Sequence, residues 1–113
     1  MGLYVKGAKI NRAKMRRDKF PLGPEHEAGA YVNVRGMTAL EAEEHEGYVK
    51  DLSDPAKTED DRKNAGYNLL ALCVVNDEGE AMFADAKDVR DNFNISTADF
   101  IGIMNKINKL SGL

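Results

Sequence analysis

The chain has 113 residues, of which 42% are hydrophobic and 31% charged. That is enough for one domain and too little for two ordinary ones, and the mix excludes collagen-like and wholly disordered chains. The formal net charge of -3 conceals a segregation: residues 1–24 hold Lys6, Lys9, Arg12, Lys14, Arg16, Arg17 and Lys19 against Asp18 alone, so 18 of the 19 acids and only 9 of the 16 bases fall beyond that point.

Gly2, Gly7, Gly23 and Gly29 with Pro21 and Pro24 confine any helix in the basic head to about Ala8–Lys19, and the prolines mark a linker. A flexible arm is therefore expected over residues 1–27, followed by a single domain over 28–113. In Ala30–Arg35, Val32 and Val34 alternate with Tyr31, Asn33 and Arg35, the period of a half-buried strand, and Gly36 ends it. Thr38-Ala39-Leu40-Glu41 has the form of a capping box and predicts a helix running to about Leu52, ahead of Ser53-Asp54-Pro55. Its row at 40, 44, 48 and 52 aligns Leu40, Tyr48 and Leu52 but is broken by Glu44, which predicts partial burial. A second helix is expected from Thr58, with acids in its first turn and Ala65, Leu69, Leu72 and Cys73 on one face. The run Leu69–Val75 is read as helix first and strand second, with Asn76-Asp77-Glu78-Gly79 turning the chain back through Ala81-Met82-Phe83. A short helix over Asp85–Asn92 places Val89 inward. Ser96 caps a terminal amphipathic helix on which Phe100, Ile103, Met104, Ile107 and Leu110 share a face, and Gly112 suits its end. The expected class is α+β: a small, mainly helical domain with a short sheet or hairpin and a C-terminal amphipathic helix.

Few residues offer chemistry. Glu41 and His45 lie one helical turn apart, but two ligands do not make a metal site, and His26 stands in the proposed linker. Cys73, the one cysteine, sits in the most apolar stretch and reads as a buried thiol. It excludes an internal disulfide and, with only two histidines beside it, a multi-cysteine zinc centre. The acids at Asp51, Asp54, Glu59, Asp60 and Asp61 lack the order of a calcium loop, and no phosphate loop or nucleophile elbow is present. No enzyme, cofactor or metal is expected. The run Leu69–Val75 is far below the roughly 20 residues of a membrane helix, the charged N-terminus has no signal-peptide apolar block, and Lys6 stands where a myristoylation signal needs Ser or Thr. A cytoplasmic protein without membrane attachment is expected.

Three segments carry a resemblance. Tyr31-Val32-Asn33-Val34-Arg35-Gly36-Met37-Thr38-Ala39-Leu40-Glu41, the run from Leu69 to Phe83 with Asp85, and the terminal helix closing on Ile107-Asn108-Lys109-Leu110-Ser111-Gly112-Leu113 are similar, in that order, to the tail assembly chaperones of long-tailed bacteriophages and prophages. The likeness covers most of residues 25–113, without the Trp that many of those proteins place before the first strand. The resemblance implies a non-enzymatic protein in the bacterial host cytoplasm. It would bind and solubilise the tape measure protein and help recruit tail tube subunits during tail morphogenesis, without ATP. It also implies a partner-binding surface, for which Leu40, Tyr48, Leu52, Phe100, Met104 and Ile107 are the candidates, with Met37, Met82 and Met104 as adaptable contacts. Met104 and Ile107 also fit a core. A reading from another class is a small nucleic-acid-binding regulator using Lys6 to Lys19. Self-association fits a thin core that leaves helix faces to pair.

Overall fold

A computed structural model describes residues 2–44 and 59–112. The class is α+β, a three-stranded antiparallel sheet with helices. A 3₁₀ turn, Arg12–Lys14, leads into β1 (Arg17–Pro21); β2 is Tyr31–Arg35; residues 39–44 open helix α1; α2 (Glu59–Cys73) runs straight into β3 (Val74–Val75); α3 is Ala86–Asn92 and α4 is Thr97–Leu110.

The strands lie in the order β1-β2-β3, with Phe20 opposite Val32, Asp18 opposite Val34, and Val34 opposite Val74. Paired residues share a face, so Phe20, Val32, Val34 and Val74 form one apolar side. Against it α4 brings Ile103 and Ile107, and α2 brings Leu69, Leu70 and Cys73; all but Leu69 among these five are wholly enclosed. Gly102 is where α4 comes closest to β1, since a Cβ there would stand 2.6 Å from the Phe20 ring. Gly66 leaves the same kind of room for Phe100, whose ring meets Tyr67 edge to face at 5.3 Å.

β1 corrects the expected arm. The strand occupies residues read as helix and linker, so Arg17–Pro21 belongs to the sheet and not to a flexible arm. Pro21 is admissible because β1 is an edge strand and proline ends it. Backbone bonds from Gly36 N to the Arg16 carbonyl and from Leu22 N to the Ala30 carbonyl set the parity: even residues bond to β2 and odd ones face the free edge. There the Lys19 amide donates to the Asp18 carboxylate at 2.8 Å and Pro21 has no N–H, so this edge offers little to an incoming strand.

The remaining elements follow their local signals. Asp85 caps α3 by accepting from the Asp88 amide, and Val89 is buried; Ser96 caps α4 through the Asp99 amide. The expected return strand of the hairpin is reduced to one bridge, Val75 to Ala81, after a turn in which Asn76 Oδ1 accepts from the amides of Glu78 and Glu80 and Gly79 takes a φ of 85°. At the far end of α4 the Ser111 hydroxyl accepts from the Met37 amide at 2.8 Å, and Gly36 lies so close to the Leu110 carbonyl that a Cβ would meet it at 2.7 Å. The chain after β2 is thereby tied to the end of the last helix. Thr58, expected to cap α2, lies outside the described residues, as do Tyr48, Leu52 and His45. Among the described residues no helix is long and apolar enough to cross a membrane.

Candidate interaction surface

The most specific polar contact joins β2 to the start of α1. The Arg35 guanidinium meets the Glu41 carboxylate with two parallel bonds, Nη1 to Oε1 at 2.9 Å and Nη2 to Oε2 at 3.0 Å, and both residues are buried. The capping box predicted at Thr38 is present: Thr38 N donates to Glu41 Oε1 at 2.9 Å and Glu41 N to Thr38 Oγ1 at 3.2 Å. One carboxylate therefore serves as both helix cap and ion-pair partner. Burial works to raise the Glu41 pKa, but the Arg35 bonds and the Thr38 amide outweigh it and hold the carboxyl below its ordinary range. Burial likewise works to lower Arg35, and the bond to Glu41 outweighs it. Arg12 reaches the same carboxylate at 3.5 Å from a far more exposed position.

This pair orients the start of α1. With Glu41 turned to Arg35 and Ala42 packed on the core, Leu40 is left 62% exposed. The row through Leu40 is thus not the buried one at the start of the helix. Arg35, read as pointing to solvent with Tyr31 and Asn33, is only 4% exposed, because α1 covers its end of the sheet. The Glu41 carboxylate is engaged by Arg35 and Thr38, while His45 lies outside the described residues; among the described residues no cluster of His, Cys, Asp and Glu could hold a metal ion.

The other candidate partner-binding residues separate. Phe100 and Met104 are half-buried against the core, and Met37 is buried. Ile107 has no exposed surface, so it is a core residue and not a contact for a partner. In place of these, the structure leaves Tyr31, Met82 and Ile101 on the surface with Leu40, and Leu3, Tyr4, Val5 and Ile10 in the basic head. Ile101 was legible as an apolar residue off the buried row of the terminal helix.

A groove of about 470 Å³ lies between α1, α2 and the hairpin, with Leu69, Leu72 and Phe83 along its apolar wall and the Arg35–Glu41 pair at its polar end. Its ion pair is internally neutralised. The groove can bury an apolar side chain. Cys73 is buried and its thiol is pushed up to about 12 by burial, which makes it inert at neutral pH. Asp99 accepts from the Gly23 amide at 2.9 Å and stands 4.0 Å from His26 Nε2, an arrangement that fastens the β1–β2 connection to α4.

Compared with protein-family models, curated proteins and solved structures, the chain matches none.

Proposed function

We propose that this protein is a tail assembly chaperone of a long-tailed phage or prophage, which binds and solubilises the tape measure protein and helps recruit tail tube subunits. The observation that supports this reading is the distribution of exposed apolar side chains. Each of the three resemblance-bearing segments leaves at least one large apolar group in water: Tyr31 and Leu40 in the first, Met82 in the second, Ile101 in the third. These side chains are contacts that a protein covering apolar surface on a long helical client can use. The surplus of acids beyond the head keeps a complex with such a client in solution by like-charge repulsion. No catalytic group is called for.

Co-expression with the tape measure protein encoded nearby tests the reading. The client is expected to become soluble and to co-elute at moderate salt, and the double variant Leu40→Ser/Ile101→Ser, altered only at exposed sites, is expected to fold and lose the client. A client that stays insoluble beside the wild-type chain overturns the proposal.

A further inference from the structure

The two edges of the sheet differ in what they offer to another backbone. At β1, Pro21 has no N–H and the Lys19 amide is engaged by Asp18. At the other edge the bridge between Val75 and Ala81 is framed by two backbone bonds, from Met82 N to the Val74 carbonyl at 3.2 Å and from Asn76 N to the Glu80 carbonyl at 2.8 Å. In a pair framed in this way each residue turns its own N–H and C=O away from the other. Val75 turns its groups toward β2, where it stands opposite Asn33. Ala81 turns its groups outward, and neither has a partner among the described residues.

Ala81 is exposed, and it also borders the groove of about 470 Å³ whose apolar wall is Leu69, Leu72 and Phe83. The chain around it is acidic: residues 77–85 carry Asp77, Glu78, Glu80 and Asp85 and no Lys or Arg. Asp77 is held in place, since Asn33 Nδ2 donates to its carboxylate at 2.8 Å. An open strand edge, an apolar recess beside it and a one-sided charge thus meet at one residue.

We infer that the Ala81 edge takes an extended, apolar and basic segment of a partner protein as an added strand. An unpaired N–H and C=O on a strand edge call for a main-chain partner, and an extended segment presents one where a helix has already used its own. The residue of the added strand that stands opposite Ala81 lies on the same face as Ala81, toward the groove, where an apolar side chain is taken out of water. Lys or Arg at the flanking positions meet Glu78, Glu80 and Asp85, whereas an acidic segment is repelled. The partner is thereby defined by three properties at once: extended backbone, an apolar residue at the centre, and positive charge around it.

Hydrogen exchange of the backbone amides, followed by NMR on the whole chain, tests this with the acetylated and amidated peptide Lys-Val-Lys-Leu-Lys-Val-Lys in place of any client, so its outcome is separate from that of the chaperone reading. In the dilute free chain the Ala81 amide is expected to exchange as open backbone does, and saturating peptide is expected to slow it by about tenfold or more. Binding is expected to weaken between 0.1 and 1 M salt, over which the screening length falls from about 10 to about 3 Å, and the peptide with Glu for every Lys is expected not to bind. The Lys peptide N-methylated throughout keeps its side chains but has no backbone donors, and it is expected to bind about tenfold or more weakly to an unaltered protein. The Ala81 N–H serves no bond within the hairpin, so Ala81→Pro is expected to weaken the unmethylated peptide to a similar degree, with circular dichroism checking that the fold is kept. An Ala81 amide already protected in the dilute free chain, which would mean that the chain covers its own edge, overturns the inference. So does an amide that saturating Lys peptide leaves unprotected, an N-methylated peptide that binds as well as the parent, or a Glu peptide that binds as well as the Lys peptide.

Discussion

The two faces of the sheet are held by different physics. On the inner face Val32, Val34 and Val74 meet Ile103 and Ile107, all apolar and enclosed, a contact set by volume and area. At the α1 end of the outer face Arg35 is covered by Glu41 through two bonds of 2.9 and 3.0 Å, a contact set by direction. Apolar packing tolerates a change of shape if volume is kept, whereas a guanidinium–carboxylate fork accepts one geometry and leaves a buried charge when either partner is lost. The inner face therefore supplies most of the stability, and the outer face decides how α1 leaves the sheet and which of its residues meet water.

The largest expected effect is on the inner face. Ile107→Ala empties a fully enclosed site in the last turn of α4 and is expected to cost about 4 kcal/mol, read from the denaturation midpoint at unchanged slope. A cost below about 1 kcal/mol would mean that α4 rests on the sheet loosely, and the contrast between the faces would fail.

Next comes the outer face, where the sign of the double variant sharpens the comparison. Glu41→Leu alone leaves Arg35 buried without its carboxylate and is expected to cost about 3 kcal/mol; Arg35→Met added to it is expected to restore most of that, as replacing a buried pair by apolar groups is often near neutral. If the double variant stays as unstable as the single one, α1 depends on the direction of the pair and not merely on the absence of a stranded charge. Acid gives an independent reading. The folded-state pKa of Glu41 lies below its ordinary 4.5, so its contribution is present above that value and is lost as pH falls through the folded pKa. The wild type is expected to lose stability over this acid range more steeply than Glu41→Gln, which has no proton to take up there, and acid titration followed by circular dichroism measures the difference.

What could be read from the sequence follows the same division. The inner face announces itself through local pattern: alternation at Val32 and Val34, the helical spacing of Ile103 and Ile107, and the caps Ser96 and Asp85. The capping box at Thr38 was equally visible, yet its consequence was not, because nothing local says that Glu41 will meet an arginine six residues earlier across a turn. The same blindness hid β1. Arg17-Asp18-Lys19-Phe20-Pro21 carries one large apolar side chain and a proline, and only pairing with β2 and the fit of Phe20 against Gly102 make it a strand. Of the candidate contacts, Ile107 lies on the enclosed side of α4. Leu40 reaches water where the ion pair orients the start of α1.

Leu40 carries the smallest expected effect on stability and the most direct link between the two faces. It adjoins Glu41 in the chain, and the orientation that buries the carboxylate leaves Leu40 62% exposed. Leu40→Ser removes no core contact and is expected to change stability by less than about 0.5 kcal/mol. Under the chaperone reading the same change weakens client capture, so a lost pull-down at an unchanged denaturation midpoint separates surface from scaffold at a single residue. Glu41→Leu provides the converse: if the ion pair is what presents Leu40, breaking it should reduce client capture while Leu40 itself is intact, and Arg35→Met/Glu41→Leu should recover stability without recovering capture. Capture that follows stability through all three variants would show that the ion pair only holds the fold together and does not aim the surface.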